Sequence, residues 1–444
     1  MSSDTLKIRL WSTADFPAEQ GREVKAIKPF QARLQLAEGE VQLDISVPDL
    51  SRAELRWGTD KVVRKALGAF RLGKCTISAG PGVADDSLLT IALDQHHAFR
   101  GKLTVVDNQA VADRLAIIGK AEDGYRAWVN EDATTRTSLA IAADVVAYAA
   151  DQGNVSVEVM EEDALREHGL NLLLAVGGAS TISPPRLVIA RYTPEGKTDN
   201  TLMLLGKGIT FDTGGINVKP YLSHVSQMKN DMAGSALAWW LFRALVDQGY
   251  DRPVLLVLAT CENPIGENAM RPGTVVKSYR GHTVRIDHTD AEGRLALADG
   301  LAYAVDTYQP AEVISFATLT TAALIAYGPY ATPVHFPTPE WQSTLEAASE
   351  RTGEDLHFFP QRLWHFESNR DLEANLKNTA RLPGKASSAA GSRNAAHFLK
   401  HFAADTQIMH LDIFASTWNW AGDAPGSGYG ATGAPMRTLI EALL

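Results

Sequence analysis

Residues 252–262, RPVLLVLATCE, form an almost uninterrupted apolar run. Similar short runs occur at residues 186–192 (RLVIARY), 200–206 (NTLMLLG), 312–319 (EVISFATL) and 409–416 (MHLDIFAS). Strands without alternating polar residues are typical of a parallel sheet that is buried on both faces. Apolar residues with helical spacing at 137–153 and 231–249 predict the helices that cover it. The sequence therefore predicts an α/β fold whose large C-terminal domain has a mostly parallel sheet with helices on both faces.

The first hundred residues have a different pattern. Alternating runs at 41–47 (VQLDISV), 55–60 (LRWGTD) and 75–80 (CTISAG) predict short strands, and residues 60–73 predict a helix. This mixture predicts a smaller N-terminal α/β domain over residues 1–110. Helical spacing at 111–129 predicts a connecting helix over residues 111–130, and the large domain would then occupy residues 131–444.

The composition is close to that of an average globular protein and disfavours several functions. The chain has 444 residues, of which 45% are hydrophobic and 21% charged. A net charge of −10 disfavours nucleic-acid binding by a general basic surface. Two cysteines, Cys75 and Cys261, make neither a disulfide framework nor a cysteine zinc site. The N-terminus shows no secretory signal and no run is apolar enough to span a membrane, so we expect a cytoplasmic protein.

Charged residues cluster where predicted strands give way to turns or helices. The clusters are LLGKGITFDTGGINVKP (204–220) with Lys207, Asp212 and Lys219, MKNDMAG (228–234) with Asp231, and HTDAEGRLALADG (288–300) with Asp290, Glu292, Arg294 and Asp299. Ligands bind at the carboxyl ends of strands in open α/β sheets. Converging carboxylates would repel each other unless cations lay between them. Because two divalent ions can clamp a substrate carbonyl and a water molecule, these residue types indicate a di-metal hydrolase.

Each cluster also has a structural interpretation. TDAE at 289–292 fits a helix capping box, with Thr289 as the N-cap and Glu292 reaching back. Asp231 and Asp290 could be acids that favour a helix N-terminus. The DTG at 212–214 matches an aspartic-peptidase signature, but that chemistry needs a second carboxylate and no second motif occurs. A histidine in the position of His288 is more often a structural residue than a metal ligand.

Together, the strings strongly resemble the leucyl (cytosol) aminopeptidase family of metallopeptidases. The resemblance rests on GKGITFDTGG, Lys219, MKNDMAG and TDAEGRL, with further matches in VGGAS, PPRLVI, NAMRPGTVV, ATLT, HLDI, GATG and RTLIE. It covers roughly residues 125–444, and the combined motif is very specific. The short N-terminal part is similar to that of the peptidase B branch. The resemblance implies a two-metal aminopeptidase, because the α-amino group of a peptide can ligate one of the metals only when it is neutral and at the end of the chain.

Carried over by position, the resemblance implies five metal ligands: Lys207, Asp212, Asp231, Asp290 and Glu292. Asp212 and Glu292 would bridge the two ions. One ion would also be held by Asp290, and the other by Lys207 and Asp231. The amine of Lys207 must be neutral to ligate, which two adjacent dications would favour. The implied ions are zinc or manganese, with cobalt or magnesium as alternatives.

The resemblance also implies the catalytic and substrate-binding residues. Lys219 matches the family's lysine that polarises the scissile carbonyl. Arg294 matches the residue that holds a bicarbonate ion, which acts as general base on the metal-bridging water. The implied substrate-binding residues are Met228, Thr318, Leu319, Thr321 and Ala431. The family usually forms homo-hexamers with the sites facing an interior cavity, so we expect a homo-hexamer that acts on peptides.

Two positions depart from the family pattern. His288 replaces the asparagine that begins the family's signature, and Thr321 replaces a glycine in its pocket. All implied ligand and catalytic positions keep the family's residues. The alternative function is a catalytically silent binding protein with an aminopeptidase fold, which would have no need of this complete set.

Overall fold

A computed structural model describes residues 5–17, 22–24, 28–37, 40–67, 72–221, 223–360, 362–380 and 390–444. The chain divides into two compact units. The N-terminal unit consists of Met1–Gly124, Ser343–Asp355 and Asn419–Leu443, and the second unit consists of Tyr125–Gln342, Leu356–Trp418 and Leu444. In the described residues, no helix is both long enough and apolar enough to cross a membrane.

The N-terminal part of the chain, up to Asn130, has a small α/β fold. Its elements are β1 (Thr5–Ser12), β2 (Arg22–Val24), β3 (Ala32–Ala37), β4 (Glu40–Val47), α1 (Arg52–Leu67), β5 (Lys74–Ala79), α2 (Asp85–Ala98), β6 (Leu103–Val105) and α3 (Gln109–Asn130). The six strands form one sheet in the order β2-β3-β4-β1-β5-β6. β1 is parallel to β4 and β5, whereas β3 is antiparallel to its neighbours β2 and β4.

Helix α1 corrects one prediction. The run LRWGTD at 55–60, predicted as a strand from its alternation, lies inside this helix. Leu55, Thr59, Val62 and Ala66 are buried at intervals of three or four residues. This spacing is helical, and the alternation was too short to distinguish the two periods.

The rest of the chain is longer and contains the larger sheet. Its elements are α4 (Ser138–Ala150), β7 (Val155–Met160), α5 (Glu162–Glu167), α6 (Asn171–Gly177), β8 (Arg186–Tyr192), β9 (Leu202–Asp212), α7 (Ala233–Asp247), β10 (Val254–Asn263), β11 (Val275–Lys277), β12 (Thr283–Arg285), α8 (Gly293–Tyr308), β13 (Glu312–Ala317), α9 (Thr321–Tyr327), β14 (Ala331–His335), α10 (Pro339–Thr352), β15 (Asp355–Phe359), β16 (Leu376–Lys377), α11 (Gly391–Lys400), β17 (Gln407–Asp412), β18 (Trp418–Asn419), β19 (Gly430–Ala431) and α12 (Met436–Leu443). Two short 3-10 helices cover Val225–Met232 and Leu363–Asn369.

The larger sheet has eight strands in the order β15-β14-β17-β13-β9-β10-β8-β7. Its four central strands, β17, β13, β9 and β10, are parallel, and β14, β8 and β7 add antiparallel pairings outside them. Almost every residue of β9 and β10 is buried, as expected for strands covered on both faces. The predicted α/β fold class is therefore confirmed, with antiparallel strands at the outer parts of the sheet.

Helices α7 and α8 cover opposite faces of β9. A Cβ atom on Gly206 would lie 2.6 Å from Cα of Ser235 in α7, so the glycine allows helix and strand to approach closely. Leu205, which points to the other face, packs in a cluster with residues of α8. The same alternation directs the side chain of Lys207 toward the beginning of α8.

Candidate metal centre

The carboxyl end of β9 and two helix beginnings bring the predicted acidic residues together. Asp212 is the last residue of β9, and Asp231 lies in the 3-10 helix that precedes α7. Glu292 is the N-cap of α8, and Asp290 lies in the turn before it. Asp212, Asp290 and Glu292 each offer a carboxylate oxygen, and these three oxygens lie within 4.8 Å of one another. The topology therefore gathers carboxylates from three separate parts of the sequence.

Lys207 joins two of these carboxylates. Its buried Nζ lies 2.8 Å from Asp231 and 2.9 Å from Oε1 of Glu292, and it donates a hydrogen bond of 2.7 Å to the carbonyl of Thr318. A Cβ atom on Gly293 would lie only 2.3 Å from Cε of Lys207. Glycine at the first position of α8 thus leaves the room that the lysine needs to reach the acids.

Lys219 has an equivalent place between the other two carboxylates. Its Nζ lies 2.7 Å from Oδ2 of Asp212 and 2.5 Å from Oδ1 of Asp290. Burial alone would lower the pKa of Lys207 and Lys219, but the surrounding carboxylates outweigh it and raise both pKa values. Each amine lies between two carboxylates, whose charges favour its protonated form. Lys207 would therefore have to lose its proton to ligate a metal ion, as two adjacent dications would favour.

The pKa values of the buried acidic side chains shift in different directions. Burial, together with repulsion from Asp212 and Glu292, raises the pKa of Asp290 to about 7. Burial also opposes ionisation of Glu292, but the ammonium groups of Lys207 and Lys219 outweigh it and lower its pKa to about 2. The pKa of Asp231 is raised well above its ordinary value, with burial as the largest cause. The acids therefore need compensating positive charge to remain ionised together.

The residues present fit divalent metal ions. Oε2 of Glu292 is buried and has no hydrogen-bond partner among the described residues. A set of carboxylate oxygens with one amine suits ions such as manganese, magnesium or zinc. An acceptor oxygen buried without a donor is costly unless a cation or a proton satisfies it. The donor chemistry and this oxygen both agree with a metal centre.

Several polar residues that the sequence did not single out support the acids. Asn263, the last residue of β10, donates from Nδ2 to Oδ1 of Asp212 at 2.8 Å and to the carbonyl of Thr289 at 3.1 Å. Asn378 donates to the carbonyl of His288 at 2.7 Å, and its Oδ1 accepts from the backbone of Asp287 at 2.8 Å. A polar side chain at the end of an apolar strand could have indicated Asn263. Nothing local in the sequence indicates Asn378.

The capping-box interpretation of residues 289–292 is wrong. Glu292 itself is the N-cap of α8, and it makes no side-chain capping hydrogen bond. The hydroxyl of Thr289 donates to the carbonyl of Gly214 at 2.6 Å and accepts from the backbone N–H of Asn217 at 2.8 Å. Thr289 therefore fastens the acidic turn to the loop after β9 and leaves Glu292 free to face the lysine.

Arg294 and His288 lie beside the acids. Arg294, in the first turn of α8, is buried, and its Nε has no hydrogen-bond partner among the described residues. Burial lowers the pKa of its guanidinium to about 10, so it keeps its charge at neutral pH. Nδ1 of His288 accepts a hydrogen bond of 3.2 Å from the backbone N–H of Asp290, which gives this histidine a structural contact.

A cavity of about 380 Å³ opens onto these residues. All five predicted ligands, Lys219 and Arg294 line it, and so do four of the predicted substrate-binding residues, Met228, Thr318, Leu319 and Thr321. Ala431 belongs to the N-terminal unit, so its substrate contact stays a prediction. Further lining residues that the sequence did not indicate include Thr379, Asn394 and Phe414. The cavity and the carboxylates thus form one continuous site.

Comparisons with known proteins agree with this geometry. A sequence profile described as the cytosol aminopeptidase family, catalytic domain, matches residues 124–440. A probable cytosol aminopeptidase of Gloeothece citriformis is 34% identical over 351 residues, covering 77% of this chain and 69% of that protein. A probable cytosol aminopeptidase of Geobacter sp. strain M21 is 38% identical over 291 residues, covering 65% and 57%. In three such relatives the aligned region covers 61, 63 and 69% of their own length, so this chain matches only part of each.

A solved structure shows similarity over the whole chain. It is a bottromycin maturation enzyme, BotP, in complex with Mn, and it superposes with a TM-score of 0.84 at 30% sequence identity. The alignment covers 100% of this chain and 99% of that one. A second structure of the same enzyme gives a TM-score of 0.81 at 29% identity.

Proposed function

The chain belongs to the cytosol aminopeptidase family, and on that basis we propose that it is a metal-dependent aminopeptidase that removes N-terminal residues from peptides. The observation that carries this proposal is the convergence of Asp212, Asp290 and Glu292 within 4.8 Å beside a cavity. The alternative, a catalytically silent binding protein, is less favoured because nothing in binding alone requires such a buried set of charges. Placement in the peptidase B branch remains a prediction.

Five residues would hold two divalent ions. Asp212 and Glu292 would contribute to both, Asp290 to one, and Lys207 and Asp231 to the other. When bound, such ions supply positive charge that activates a water molecule and polarises a carbonyl group. Manganese is supported by the similar structure that contains Mn, and zinc is the alternative that the same donors accept.

Lys219 would act on the substrate carbonyl. Its Nζ lies in the cavity, 2.7 Å from Oδ2 of Asp212 and 2.5 Å from Oδ1 of Asp290, and a lysine amine with an ordinary pKa of about 10.4 is protonated at neutral pH. A protonated amine can donate to the carbonyl oxygen and stabilise the negative charge that develops there. Lys219 is therefore the proposed electrophilic residue of the chain.

Arg294 would position the general base. Its charged, buried guanidinium has an Nε that no described residue binds, and a planar guanidinium recognises a planar oxyanion with two hydrogen bonds. Bicarbonate is such an anion, and it would accept the proton of the attacking water. In this proposal Arg294 holds the base and does not itself exchange a proton.

The remaining proposals concern substrate, assembly and location. The cavity lined by Met228, Leu319 and Thr321 would receive the side chain of the first residue of the peptide. We propose a homo-hexamer, as is usual in the family, and a cytoplasmic location, as the name of the relatives implies. Each of these statements can be tested on the purified protein.

The test is metal content together with peptide hydrolysis. A panel of aminoacyl-p-nitroanilides is offered to metal-stripped protein with Mn, Zn, Co or Mg added back. We expect hydrolysis to return with metal, and we expect Glu292→Ala to lose nearly all turnover and at least one ion per chain. Glu267→Ala, which removes an exposed carboxylate near the end of β10, is the matched control and should keep both. Two ions per chain in Glu292→Ala would contradict the ligand assignment, and a wild-type protein inactive with every metal would contradict the function.

A further inference from the structure

A second cluster of metal-ligating side chains belongs to the N-terminal unit and shares no residue with the candidate metal centre. His96 and His97 lie in the last turn of α2, and Asp123 lies in α3. Nε2 of His96 lies 2.9 Å from Oδ2 of Asp123, and Nδ1 of His97 lies 3.0 Å from Oδ1 of the same carboxylate. One carboxylate thus faces a nitrogen atom from each of two imidazole rings.

His97 lies between two carboxylates. Its Nδ1 faces Asp123, and its Nε2 makes a short hydrogen bond with Oε2 of Glu122. A neutral imidazole carries only one N–H, so in the neutral ring one of these contacts sets a lone pair against a carboxylate oxygen. Either a second proton on the ring or a cation between Nδ1 and Asp123 removes that repulsion.

The buried side of this cluster is fixed by Arg437. Its Nε donates to Oε1 of Glu122 at 2.7 Å and its Nη1 donates to Asp94 at 2.8 Å, and all three side chains are buried. The carboxylate of Glu122 therefore lies between the guanidinium of Arg437 and Nε2 of His97. Because this carboxylate accepts the Nε2–H of His97, the lone pair of a neutral ring is directed from Nδ1 toward Asp123.

This arrangement has the form of a histidine ligand oriented by a carboxylate. Histidines that bind metals usually donate their other ring N–H to a carboxylate or carbonyl, which fixes the tautomer and the direction of the ligating nitrogen. Here Glu122 has that place, and Arg437 in turn holds Glu122. The support behind His97 is therefore organised as it is behind a metal ligand.

The cluster is accessible from solvent. The side chain of Asp123 is 48% exposed, whereas that of His97 is 1% exposed. Gly119, one turn before Asp123 on α3, leaves the approach to His96 open, because a Cβ atom there would lie 3.0 Å from Nε2 of His96. An ion would therefore enter from the side of Asp123, where water could complete its coordination.

We propose that Nε2 of His96, Nδ1 of His97 and the carboxylate of Asp123 bind one divalent transition-metal ion, with zinc as the best match to two imidazoles and one carboxylate. This site is separate from the proposed aminopeptidase centre, whose predicted ligands include no imidazole. The ion would join the end of α2 to α3 and so has a structural role in the N-terminal unit.

The test uses the full-length chain without a histidine tag, stripped with a chelator and then loaded with zinc alone. Zinc per chain is measured by elemental analysis, and X-ray absorption at the zinc edge reports imidazole ligands. We expect an imidazole-bound zinc in the wild type. His96→Ala should contain one zinc fewer per chain and lose the imidazole signal, with zinc affinity at this site reduced at least about 10-fold. His168→Ala, which removes an exposed histidine elsewhere, should match the wild type.

Two further variants keep the test decisive. Asp123→Asn retains hydrogen bonding to the rings but removes the charge, so it should also lose the imidazole-bound zinc, even if His96→Ala fails to fold. Glu292→Ala should keep the imidazole signal, which separates this site from the proposed catalytic centre. No imidazole-bound zinc in the wild type, or a signal that survives both His96→Ala and Asp123→Asn, would overturn the proposal and leave only hydrogen bonds between the two histidines and Asp123.

Discussion

Substitution of Arg294 should lower activity without changing metal content, which distinguishes its proposed role from that of the metal ligands. If it only holds the general base, Arg294→Ala should keep its metal content while kcat falls by about 10²- to 10⁴-fold, the usual contribution of general-base catalysis. Arg294→Lys is the matched control, since it retains the charge but cannot bind a planar anion with two hydrogen bonds, and it should recover little activity. Added bicarbonate should stimulate the wild type and not Arg294→Ala. A wild-type kcat in Arg294→Ala would contradict the proposed role.

Thr321 is the residue that should set the preference for the first substrate residue. It is the first residue of α9, is exposed, and lines the cavity with Met228 and Leu319. A β-branched side chain at the position where the resemblance implies glycine would reduce the room for large first residues if it points into the pocket, and such a contact would change kcat/KM by roughly 10- to 200-fold. Thr321→Gly should therefore raise the ratio of kcat/KM for Leu over Ala, with metal content unchanged.

Thr321→Val is the control for that experiment, because it keeps the volume and loses only the hydroxyl group. It should behave like the wild type if volume is what matters. Equal Leu-to-Ala ratios in the wild type and Thr321→Gly would show that position 321 does not shape the pocket.

At the scale of residues, the sequence predicted the charged residues of the site better than the polar residues that hydrogen-bond to them. The acids at 212, 231, 290 and 292 were candidates because their types and positions after strands suggest one site, and the structure brings them together. Asn378 could not be predicted, because it holds residues 287–291 from a segment about ninety positions later, across a contact that no local pattern encodes. Asp299 received no role from the sequence, and its function in α8 is structural.

Helix α8 depends on Asp299 for its connection to neighbouring segments. The buried carboxylate accepts hydrogen bonds from the backbone N–H groups of Leu172 at 2.6 Å and Tyr279 at 2.9 Å. Asp299→Ala would leave the buried donor of Leu172 without this partner, at a cost of about 1–3 kcal/mol, and would also remove the acceptor of the partly buried donor of Tyr279. We expect a clearly lower unfolding midpoint in urea, whereas Asp306→Ala, an exposed acid on the same helix, should change it little. A midpoint unchanged in Asp299→Ala would contradict this role.

The same carboxyl group should make stability depend on pH. Burial raises the pKa of Asp299 to about 7, above its ordinary value of 3.8. A raised pKa in the folded state means that this group favours folding most below about pH 4, and that the contribution is lost as the pH rises through 7. In Asp299→Asn this part of the dependence should disappear, so the difference in unfolding free energy between variant and wild type should change between pH 4 and pH 7. A constant difference over that range would contradict the raised pKa.

Among the elements, the long apolar strands were predictable, and of the three short alternating runs those at 41–47 and 75–80 form the predicted strands, whereas the run at 55–60 does not. The runs that form β8, β9, β10, β13 and β17 are almost continuously apolar because both faces of the sheet are covered. LRWGTD, in contrast, has too few residues to distinguish a period of two from a period of 3.6, and it forms part of α1. Tertiary packing decides such short segments.

At the scale of the whole molecule, the proposed homo-hexamer can be tested by measuring the molecular mass in solution. Light scattering of the purified protein should give a mass six times that of the 48.0 kDa chain if the homo-hexamer forms. The measurement is best repeated at several protein concentrations, since assembly follows mass action. A mass equal to a single chain at all concentrations would contradict the hexamer.

The sequence could not show which segments of the chain belong to the N-terminal unit. Residues Ser343–Asp355 and Asn419–Leu443 belong to it, although they lie hundreds of positions after its first strand. Their buried contacts explain why: Arg437 binds Glu122 and Asp94, and the backbone N–H of Thr438 donates to Glu354. Such pairings are specified by three-dimensional contacts alone, whereas hydrophobic periodicity reports only local structure.

The close approach of backbone to backbone around β9 has a consequence for natural variation. Gly206 faces Ser235, a Cβ atom on Gly234 would lie 2.2 Å from the carbonyl oxygen of Phe316, and Gly293 leaves space for Lys207. None of these glycines carries a chemical group that could bind metal or substrate. Even so, a methyl group at Gly206 or Gly234 would collide with neighbouring backbone, and one at Gly293 would collide with the side chain of Lys207. A survey of variants should therefore find these positions as intolerant as the acids. A variant of such a glycine would be inactive because helix, strand and side chains could no longer pack this closely. All metal-binding and catalytic residues would still be present in its sequence.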